Sequence, residues 1–300
     1  MRTRYLLWAL LALAITSCQG GKTVAGDGDG GDTVKMKYAQ LLTIVKHGGE
    51  YAEHDGEYAE VTIANPWKEG TQLHRYILVP KGEEGNKTVA RLAMQRSAGA
   101  RCVTDTVRTP VENSAVFTSP HCQLLYELGC GQAIRGVCDL NYINIPDVKK
   151  RAASAGNHGS SSAIADCGSS MAPDIERIIA LKPEAILVSP FENSGGYGKL
   201  DKLHIPLIEV ADYMEASPLG RAEWMKFYGM LFEKSDAKDS KTEISSSKAG
   251  IFQSKADSLF AKIEKEYLNL KAAAKKLPAG LSVLTERKTG SVWYVPGGQS

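Results

Sequence analysis

Polar and aromatic side chains follow four apolar segments that the sequence predicts to be β-strands. Open α/β sheets bind ligands in the crevice outside the carboxyl ends of their strands. Tyr and Phe offer flat apolar faces to a ligand, and Ser and Asn offer hydrogen bonds. We therefore expect a ligand-binding face at this edge, formed by Ser119-Pro120-His121, Asp139-Leu140-Asn141-Tyr142, Ser189-Pro190-Phe191-Glu192-Asn193 and Asp212-Tyr213.

The motifs of catalysis and of bare metal sites are missing from the sequence. It contains no HExxH, no GxSxG and no CxxC. The glycines at 195, 196 and 198 do not have the spacing of a phosphate loop. Pairs of acids suited to glycoside hydrolysis stay possible, but nothing singles one out. We therefore predict no catalytic residue, no protein-bound metal and no cofactor.

The N-terminus has the layout of an export signal. Arg2 and Arg4 precede an apolar stretch from Leu6 to Ile15, which is too short to span a bilayer comfortably. The residues Ile15-Thr16-Ser17-Cys18 resemble the lipobox of bacterial lipoproteins, which implies a lipid on Cys18 and cleavage before it. Residues 1–17 would then be a signal peptide, and the Gly- and Asp-rich residues 18–33 a flexible tether. The alternative is an ordinary secretory signal in which Cys18 is incidental.

Composition places the chain among globular proteins. Its 300 residues are 43% hydrophobic and carry 36 basic and 34 acidic side chains, for a net charge of +2. That balance excludes a dedicated nucleic-acid binder, and the length suits two domains. Five cysteines besides Cys18 leave at least one thiol free, and their pairing stays open.

From about residue 114 the chain alternates between strand and helix, which predicts an α/β fold. Before it, residues 61–63 and 76–79 predict strands, and residues 81–87 predict a polar loop. The apolar run 185–188 predicts a strand buried on both faces. A helix starting after Asp174 should bury Ile175, Ile178 and Ile179. Further helices are predicted for about 218–233 and about 250–278, the latter with an apolar face from Phe252 to Leu270.

Two segments carry a family resemblance. Residues 174–188 (DIERIIALKPEAILV) and 217–227 (SPLGRAEWMKF) resemble the class III, helical-backbone binding proteins of ABC importers for cobalamin, ferric siderophores and haem. The second segment is most similar to the Bacteroidetes-type lipoproteins of that family. Residues 117–121 and 136–139 resemble the family's ligand loop and a strand end.

The resemblance implies two Rossmann-like α/β lobes joined by a long rigid helix. Residues 34–214 would form the N-terminal lobe with an N-terminal β extension, and residues 215–278 a helix pair that includes the lobe-joining helix. Residues 279–300 would begin a second lobe that we expect to be incomplete in this chain.

The resemblance also implies a lipid-anchored periplasmic protein, monomeric and not an enzyme, that delivers a metal chelate to a permease. Glu176 matches the glutamate that docks onto permease arginines, although a helix-dipole acid is the simpler interpretation of that residue. His121 is the best candidate to touch the metal of the chelate, and a hydrogen-bonding residue at the helix entry is an equal alternative. The expected ligand contacts are Ser119, Pro120, His121, Asn141, Tyr142, Ser189, Phe191, Glu192, Tyr213, Trp293 and Tyr294.

Two other functions stay open. One is a binding protein for free zinc or manganese, for which the candidate ligands are His121, Asp139, Glu192 and Asp212. The other is an exported lipoprotein hydrolase, against which the missing catalytic motifs argue.

Overall fold

A computed structural model describes residues 31–48, 57–95, 104–154, 162–192, 196–234, 255–278 and residue 280. Two five-stranded sheets and the helices around them make up this part of the chain. None of the helices within these ranges is long and apolar enough to cross a membrane.

The first sheet is mostly antiparallel and has the strand order β1-β2-β3-β4-β5. The last pair, β4 and β5, is parallel and is connected through helix α1. Along β3 every second residue is buried, as in a sheet with one face on the core. The strands are β1 (Asp32–Val34), β2 (Leu42–His47), β3 (Tyr58–Ala64), β4 (Gln72–Pro80) and β5 (Thr104–Thr109), and the helix is α1 (Glu83–Gln95).

The predicted strands at 61–63 and 76–79 are confirmed within β3 and β4, but the predicted loop over residues 81–87 is wrong. Helix α1 begins at Glu83, and two acids occupy its first turn, where the helix dipole favours them. The buried Thr88 lies on its inner face. The polar composition of residues 81–87 suggested a loop, whereas the segment belongs to a helix that packs on the protein through one side.

The second sheet is entirely parallel and confirms the α/β class. Its order is β12-β11-β6-β7-β8, with β6 at the centre. Strand β11 is buried along its whole length, as predicted from its apolar sequence. The strands are β6 (Ser114–Val116), β7 (Ile134–Val137), β8 (Ala165–Asp166), β11 (Ala185–Val188) and β12 (Leu207–Glu209); a hairpin of β9 (Gly168–Ser169) and β10 (Ala172–Pro173) follows β8.

Three helices connect the strands of this sheet: α2 (Ser119–Glu127), α3 (Pro146–Ala153) and α4 (Ile175–Leu181). Asp174 caps α4, because its side chain accepts a hydrogen bond from the Arg177 backbone amide at 3.1 Å. The helix ends at Lys182, which has a positive φ of 48°. The helix predicted from this segment is confirmed.

Three more helices follow the parallel sheet: α5 (Pro218–Glu223), α6 (Met225–Phe232) and α7 (Lys255–Ala274). The single helix expected over 218–233 is divided at Trp224, and nearly all of α6 is buried. In α7 only Ala256 and Phe260 are buried, while Leu270 is exposed. The apolar face predicted for this helix therefore contacts the described core only along its first turns.

Tyr76 of β4 joins the first sheet to the outer edge of β12. Its hydroxyl donates a hydrogen bond to the Leu207 carbonyl at 2.7 Å and accepts one from the Glu209 amide at 2.8 Å. These two backbone groups point away from β11, and no strand among the described residues pairs with β12 on that side. The fully buried tyrosine therefore completes the hydrogen bonding of an edge strand.

Two buried carboxylates attach the segment before β2 to the helices. Glu223 accepts hydrogen bonds from the backbone amides of Lys37, Tyr38 and Ala39, at 2.7 to 3.0 Å. Glu215 accepts from the amides of Gln40 and Leu41 and from the Trp224 indole, at 2.9 to 3.0 Å. Burial by itself would raise the pKa of Glu223, but the amides of residues 37–39 and the Lys226 ammonium hold it below its ordinary value.

We expect Glu223→Gln to lower the free energy of unfolding by about 3 kcal/mol at pH 7, because the amides and Lys226 lose the charge that binds them. The pKa of Glu223 is depressed in the folded state, so its contribution is present above the unfolded pKa and is lost as pH falls through the folded pKa. Urea denaturation of both proteins as a function of pH should show the difference shrinking in acid. The control Glu266→Gln, on the exposed side of α7, should change stability by less than about 0.5 kcal/mol. An equal loss at every pH would contradict the electrostatic explanation.

Candidate functional site

The strand order of the parallel sheet creates a crevice between the carboxyl ends of β6 and β11. From β6 the chain continues to β7 on one side, and from β11 it continues to β12 on the other. The loops that follow these two central strands therefore diverge, and this is where open α/β sheets bind ligands. Residues 117–121 and 189–192 follow the two strands, so the predicted loops do meet at this position.

The first loop enters helix α2 through Thr118, Ser119 and Pro120. Thr118 is extended, with φ of −128°, and proline occupies the first turn, where its missing amide costs nothing. Ser119 is half-buried and Pro120 is exposed. Both are accessible at the crevice.

His121 lies beneath the face rather than on it, because its residue surface is only 3% exposed. Its Nε2 atom is 3.9 Å from an Asp212 carboxylate oxygen. Burial lowers the pKa of His121 to about 4, so the imidazole is neutral at pH 7. A neutral imidazole can accept a hydrogen bond or bind a metal, so contact between His121 and a chelated metal stays a prediction.

Asp212 is a half-buried carboxylate at the same place. Burial raises its pKa to about 6, because the desolvation outweighs the opposing effects of the Tyr213 amide and the Arg221 guanidinium. Close by, three buried polar atoms have no hydrogen-bond partner among the described residues: His121 Nδ1, Thr118 Oγ1 and Tyr228 Oη. Buried polar groups in native proteins usually have a hydrogen-bond partner, so these three atoms can bind water or a ligand.

The loop after β7 presents Asn141 and Tyr142 to solvent, and Tyr142 is 83% exposed. Asp139 begins this loop with a positive φ of 51°. Its amide donates to the Gly168 carbonyl at 2.7 Å, and its carboxylate accepts from the Ser170 amide at 3.2 Å. The loop after β7 and the β9–β10 hairpin are thus tied together.

The loops after β11 and β12 are also joined. Tyr213 donates a hydrogen bond from its hydroxyl to the Pro190 carbonyl at 2.5 Å, and Arg221 donates to the Tyr213 carbonyl at 2.7 Å. Phe191 is 47% exposed and Tyr213 is 39% exposed. Ser189 is half-buried, and Glu192 is exposed beside Phe191.

Sequence reasoning missed Met171 and Tyr197. Met171 is exposed at the tip of the β9–β10 hairpin, which follows β8 at the same edge as the other loops. The preceding Gly168-Ser169-Ser170 is a turn signal that could have drawn attention to it. Tyr197 binds Glu209 by its hydroxyl at 2.9 Å, a pairing between distant segments that no local pattern predicts.

The outer face of α4 carries Glu176 and Ile179. Glu176 is exposed and has no hydrogen bond or ion pair with another described residue. Ile178 is buried, but Ile179 is half-exposed, so the expected burial of Ile179 is wrong. Ile179 lies about 100° around the helix from Ile178, and only the side that carries Ile178 is buried in this short helix.

Four predicted residues lie outside the described residues: Cys18, Asn193, Trp293 and Tyr294. Within the described ranges, no three His, Cys, Asp or Glu side chains are grouped to hold a metal ion. His121, Asp139, Glu192 and Asp212 are therefore not assembled as the free-metal alternative requires. The described cysteines 122, 130, 138 and 167 are free thiols.

Because the desolvation of Asp212 outweighs the opposing effects of the Tyr213 amide and the Arg221 charge, we expect Asp212→Asn to stabilise the protein at pH 8 by about 2 kcal/mol. The folded pKa of about 6 lies above that of an unfolded Asp, so the destabilising charge develops as pH rises through 6 and is absent at pH 4. Thermal or urea unfolding at the two pH values measures this. Asp201→Asn is the control: this exposed carboxylate accepts a hydrogen bond from the Tyr197 amide, so its loss should give no gain at pH 8. Equal stability of wild type and Asp212→Asn at pH 8 would contradict the explanation.

Comparison with known proteins gives partial matches. The chain is 36% identical over 72 residues to an uncharacterized lipoprotein, MJ0878, of Methanocaldococcus jannaschii, a match that covers 24% of this chain and 17% of that protein. The chain thus spans about a sixth of the curated relative that it matches.

Solved structures match over a larger part. A petrobactin-binding protein of Bacillus subtilis is 20% identical, with a TM-score of 0.39 over 57% of this chain and 49% of that one. A possible iron-binding, periplasmic solute-binding protein of Staphylococcus epidermidis is 15% identical, with a TM-score of 0.42 over 64% of this chain and 62% of that one.

The periplasmic binding protein family model matches residues 115–300, which is more than half of the chain. The match begins within β6, so it includes the whole of the parallel sheet except for its first residue, together with all the loops of the crevice. The chain belongs to the periplasmic binding protein family.

Proposed function

We propose that this chain is the substrate-binding protein of an ABC importer and that it captures an iron- or cobalt-containing chelate: a ferric siderophore, cobalamin or haem. The observation that carries the proposal is the set of exposed aromatic rings at one edge of one parallel sheet, on a chain of this family. Tyr142, Phe191 and Tyr213 project from three loops at the carboxyl ends of β7, β11 and β12.

Large chelates suit such a face. Binding sites for small molecules combine apolar and aromatic surface with a few polar groups that fix orientation. Here Ser119, Ser189 and Asn141 supply hydrogen-bonding groups between the rings. From the sequence prediction we add Trp293 and Tyr294 to the proposed site as ligand contacts, and His121 as the residue that would contact the metal centre.

A visible-absorption titration tests the ligand class directly, because these chelates are coloured. Protein beginning at residue 19 is titrated with cyanocobalamin, haem, ferrichrome and ferric enterobactin in turn. We expect one of them to bind with a spectral shift. Tyr142→Ala should weaken that binding about tenfold, because an exposed aromatic ring that becomes buried on binding contributes binding free energy of this size. Met94→Ala, an equally exposed change on α1, should leave the affinity unchanged.

Retention of no chelate after gel filtration would reject this ligand class. Metal analysis of the purified protein would then decide whether the free-metal alternative deserves weight. No observation in the described residues favours that alternative or a hydrolase.

We also propose that Glu176 docks the loaded, monomeric protein onto the permease. The carboxylate is exposed in the first turn of α4, where an arginine can form a charge-assisted pair with it. The half-exposed Ile179, one turn further along, offers apolar area beside the charge.

Glu176→Arg should abolish uptake of the radiolabelled chelate by cells while the purified variant keeps its affinity, because only the permease contact is reversed in charge. Glu266→Arg on α7 is the control and should leave uptake intact. Normal uptake with Glu176→Arg would exclude a docking role for this residue.

Finally, we propose that Cys18 carries a lipid and holds the protein at the periplasmic face of a membrane. The support is the Ile15-Thr16-Ser17-Cys18 sequence and the Gly- and Asp-rich tether after it. Two or more acyl chains give stable anchoring, whereas one chain is marginal.

Cys18→Ala should move the protein from the membrane fraction to the soluble fraction after a carbonate wash, because the acyl chains have no other attachment point. Ser17→Ala keeps a small residue before the cysteine and should remain membrane-bound. Retention of Cys18→Ala in the washed membranes would reject lipidation at this residue.

A further inference from the structure

The first sheet lies outside the segment that the family model matches, yet one of its histidines reaches the parallel sheet. His74 of β4 is buried at the junction between the sheets. Its Nδ1 atom is 2.8 Å from a Glu209 carboxylate oxygen, and its Nε2 atom is 3.3 Å from an Asp105 carboxylate oxygen. Asp105 lies on β5 and Glu209 is the last residue of β12, so the ring connects carboxylates of both sheets.

The groups around His74 favour its charged form. Tyr76 stacks on the imidazole with ring centroids 4.3 Å apart. Burial by itself would lower the pKa of His74, but the nearby Asp105 and Glu209 carboxylates outweigh it, and the pKa is raised. The titratable groups that face the ring are Asp105, Glu209 and the Tyr76 phenol, with Tyr197 on the far side of Glu209.

Glu209 connects His74 to residues of the binding face. Its second carboxylate oxygen accepts a hydrogen bond from the Tyr197 hydroxyl at 2.9 Å. The Tyr197 amide in turn donates to Asp201 at 2.8 Å, and the Leu200 amide donates to the Tyr197 carbonyl at 3.1 Å. Glu209 also lies three residues before Asp212 in the chain. One carboxylate thus connects the junction to residues 197–203 and to the loop that carries Asp212 and Tyr213.

We propose that His74 is a positioning residue for the binding face: held between Asp105 and Glu209, its imidazolium orients Glu209, which holds Tyr197 and the start of the Asp212–Tyr213 loop in place. The sheet outside the family match would therefore set the shape of a site to which it contributes no ligand contact. The consequence for ligand affinity rests on the proposed function, whereas the positioning itself does not.

The pH dependence has a definite sign. The pKa of His74 is raised in the folded state, so the imidazolium contacts are complete below the ordinary histidine pKa of about 6.5 and are lost as pH rises through the folded pKa. Positioning of Tyr197 should weaken over the same interval.

Amide hydrogen exchange on the ligand-free protein tests this directly. The readouts are the protection factors of the Tyr197, Leu200 and Lys202 amides, corrected for intrinsic exchange, while NMR of the His74 ring follows its titration. In wild type, protection of these amides should fall as His74 deprotonates. His74→Gln should lower protection about tenfold at pH 6.5 and remove its pH dependence, since a hydrogen bond to a charged group is lost.

Two more variants separate positioning from general destabilisation. Tyr197→Phe removes one hydroxyl and leaves the His74 contacts intact, so it should lose the same protection while His74 still titrates. His47→Gln is the matched control: His47 lies on β2 of the same sheet and stacks on Tyr58 at 4.5 Å, with no contact to Glu209. It should resemble wild type. Two results would overturn the proposal. One is that the amides of Tyr197→Phe are as protected as those of wild type; the other is that amide protection in wild type does not change while His74 titrates.

Titration with cyanocobalamin, haem and ferrichrome then separates the two proposals. Where one of them binds wild type, its Kd at pH 6.5 should rise about tenfold in His74→Gln and stay unchanged in His47→Gln. The expected exchange behaviour without binding of any chelate would reject the proposed function and keep the positioning role. Chelate binding with unaltered exchange, or with unaltered affinity in His74→Gln, would reject the positioning role alone.

Discussion

An edge strand of a parallel sheet exposes backbone groups that need hydrogen bonds, and the fold is organised around meeting that need at β12. Tyr76 satisfies both a carbonyl and an amide of this strand with one hydroxyl. A phenol can do so because its hydroxyl both donates and accepts hydrogen bonds. Since the site is fully buried, a backbone group left unpaired there would cost about 1–3 kcal/mol of stability. The first sheet is thereby attached at the strand that ends in Glu209, next to the loops of the candidate site.

A second attachment comes from Glu215 and Glu223. Five consecutive amides, from residue 37 to residue 41, point at these two carboxylates. Charged acceptors are the strongest available partners for backbone amides, and Lys226 and the Trp224 indole complete their coordination. The chain before β2 is thus bound to α5 and α6, while Tyr38 and Lys37 bind Glu264 on α7. The two sheets and the helices are therefore linked at more than one place by groups that are costly to separate.

Several polar groups at the candidate site lack partners among the described residues. Asp212 is half-buried beside a neutral imidazole, and His121, Thr118 and Tyr228 each have a buried polar atom with no hydrogen-bond partner in the described part of the chain. Aromatic rings stand exposed on the loops above them. A protein gains no stability from either feature, so both are expected where a ligand is to be received.

The sequence by itself determined the class of fold and predicted the loops of the candidate site. Local sequence patterns were enough to predict the strand at 185–188 and the capped helix after Asp174. Loops that follow parallel strands lie at one edge of the sheet whatever their composition. The helix of residues 83–95 was missed because its sequence is polar and the helix is stabilised by packing on β4. Ile179 was predicted to be buried because the spacing of apolar residues does not show how much of the helix surface packs on the sheet. Only the tertiary structure decided that His121 is buried and neutral, and that His74 lies between two carboxylates 31 and 135 residues away in the chain. The physical reason is that burial and ion pairing depend on distant segments brought together by the fold, which no local pattern of residues can encode.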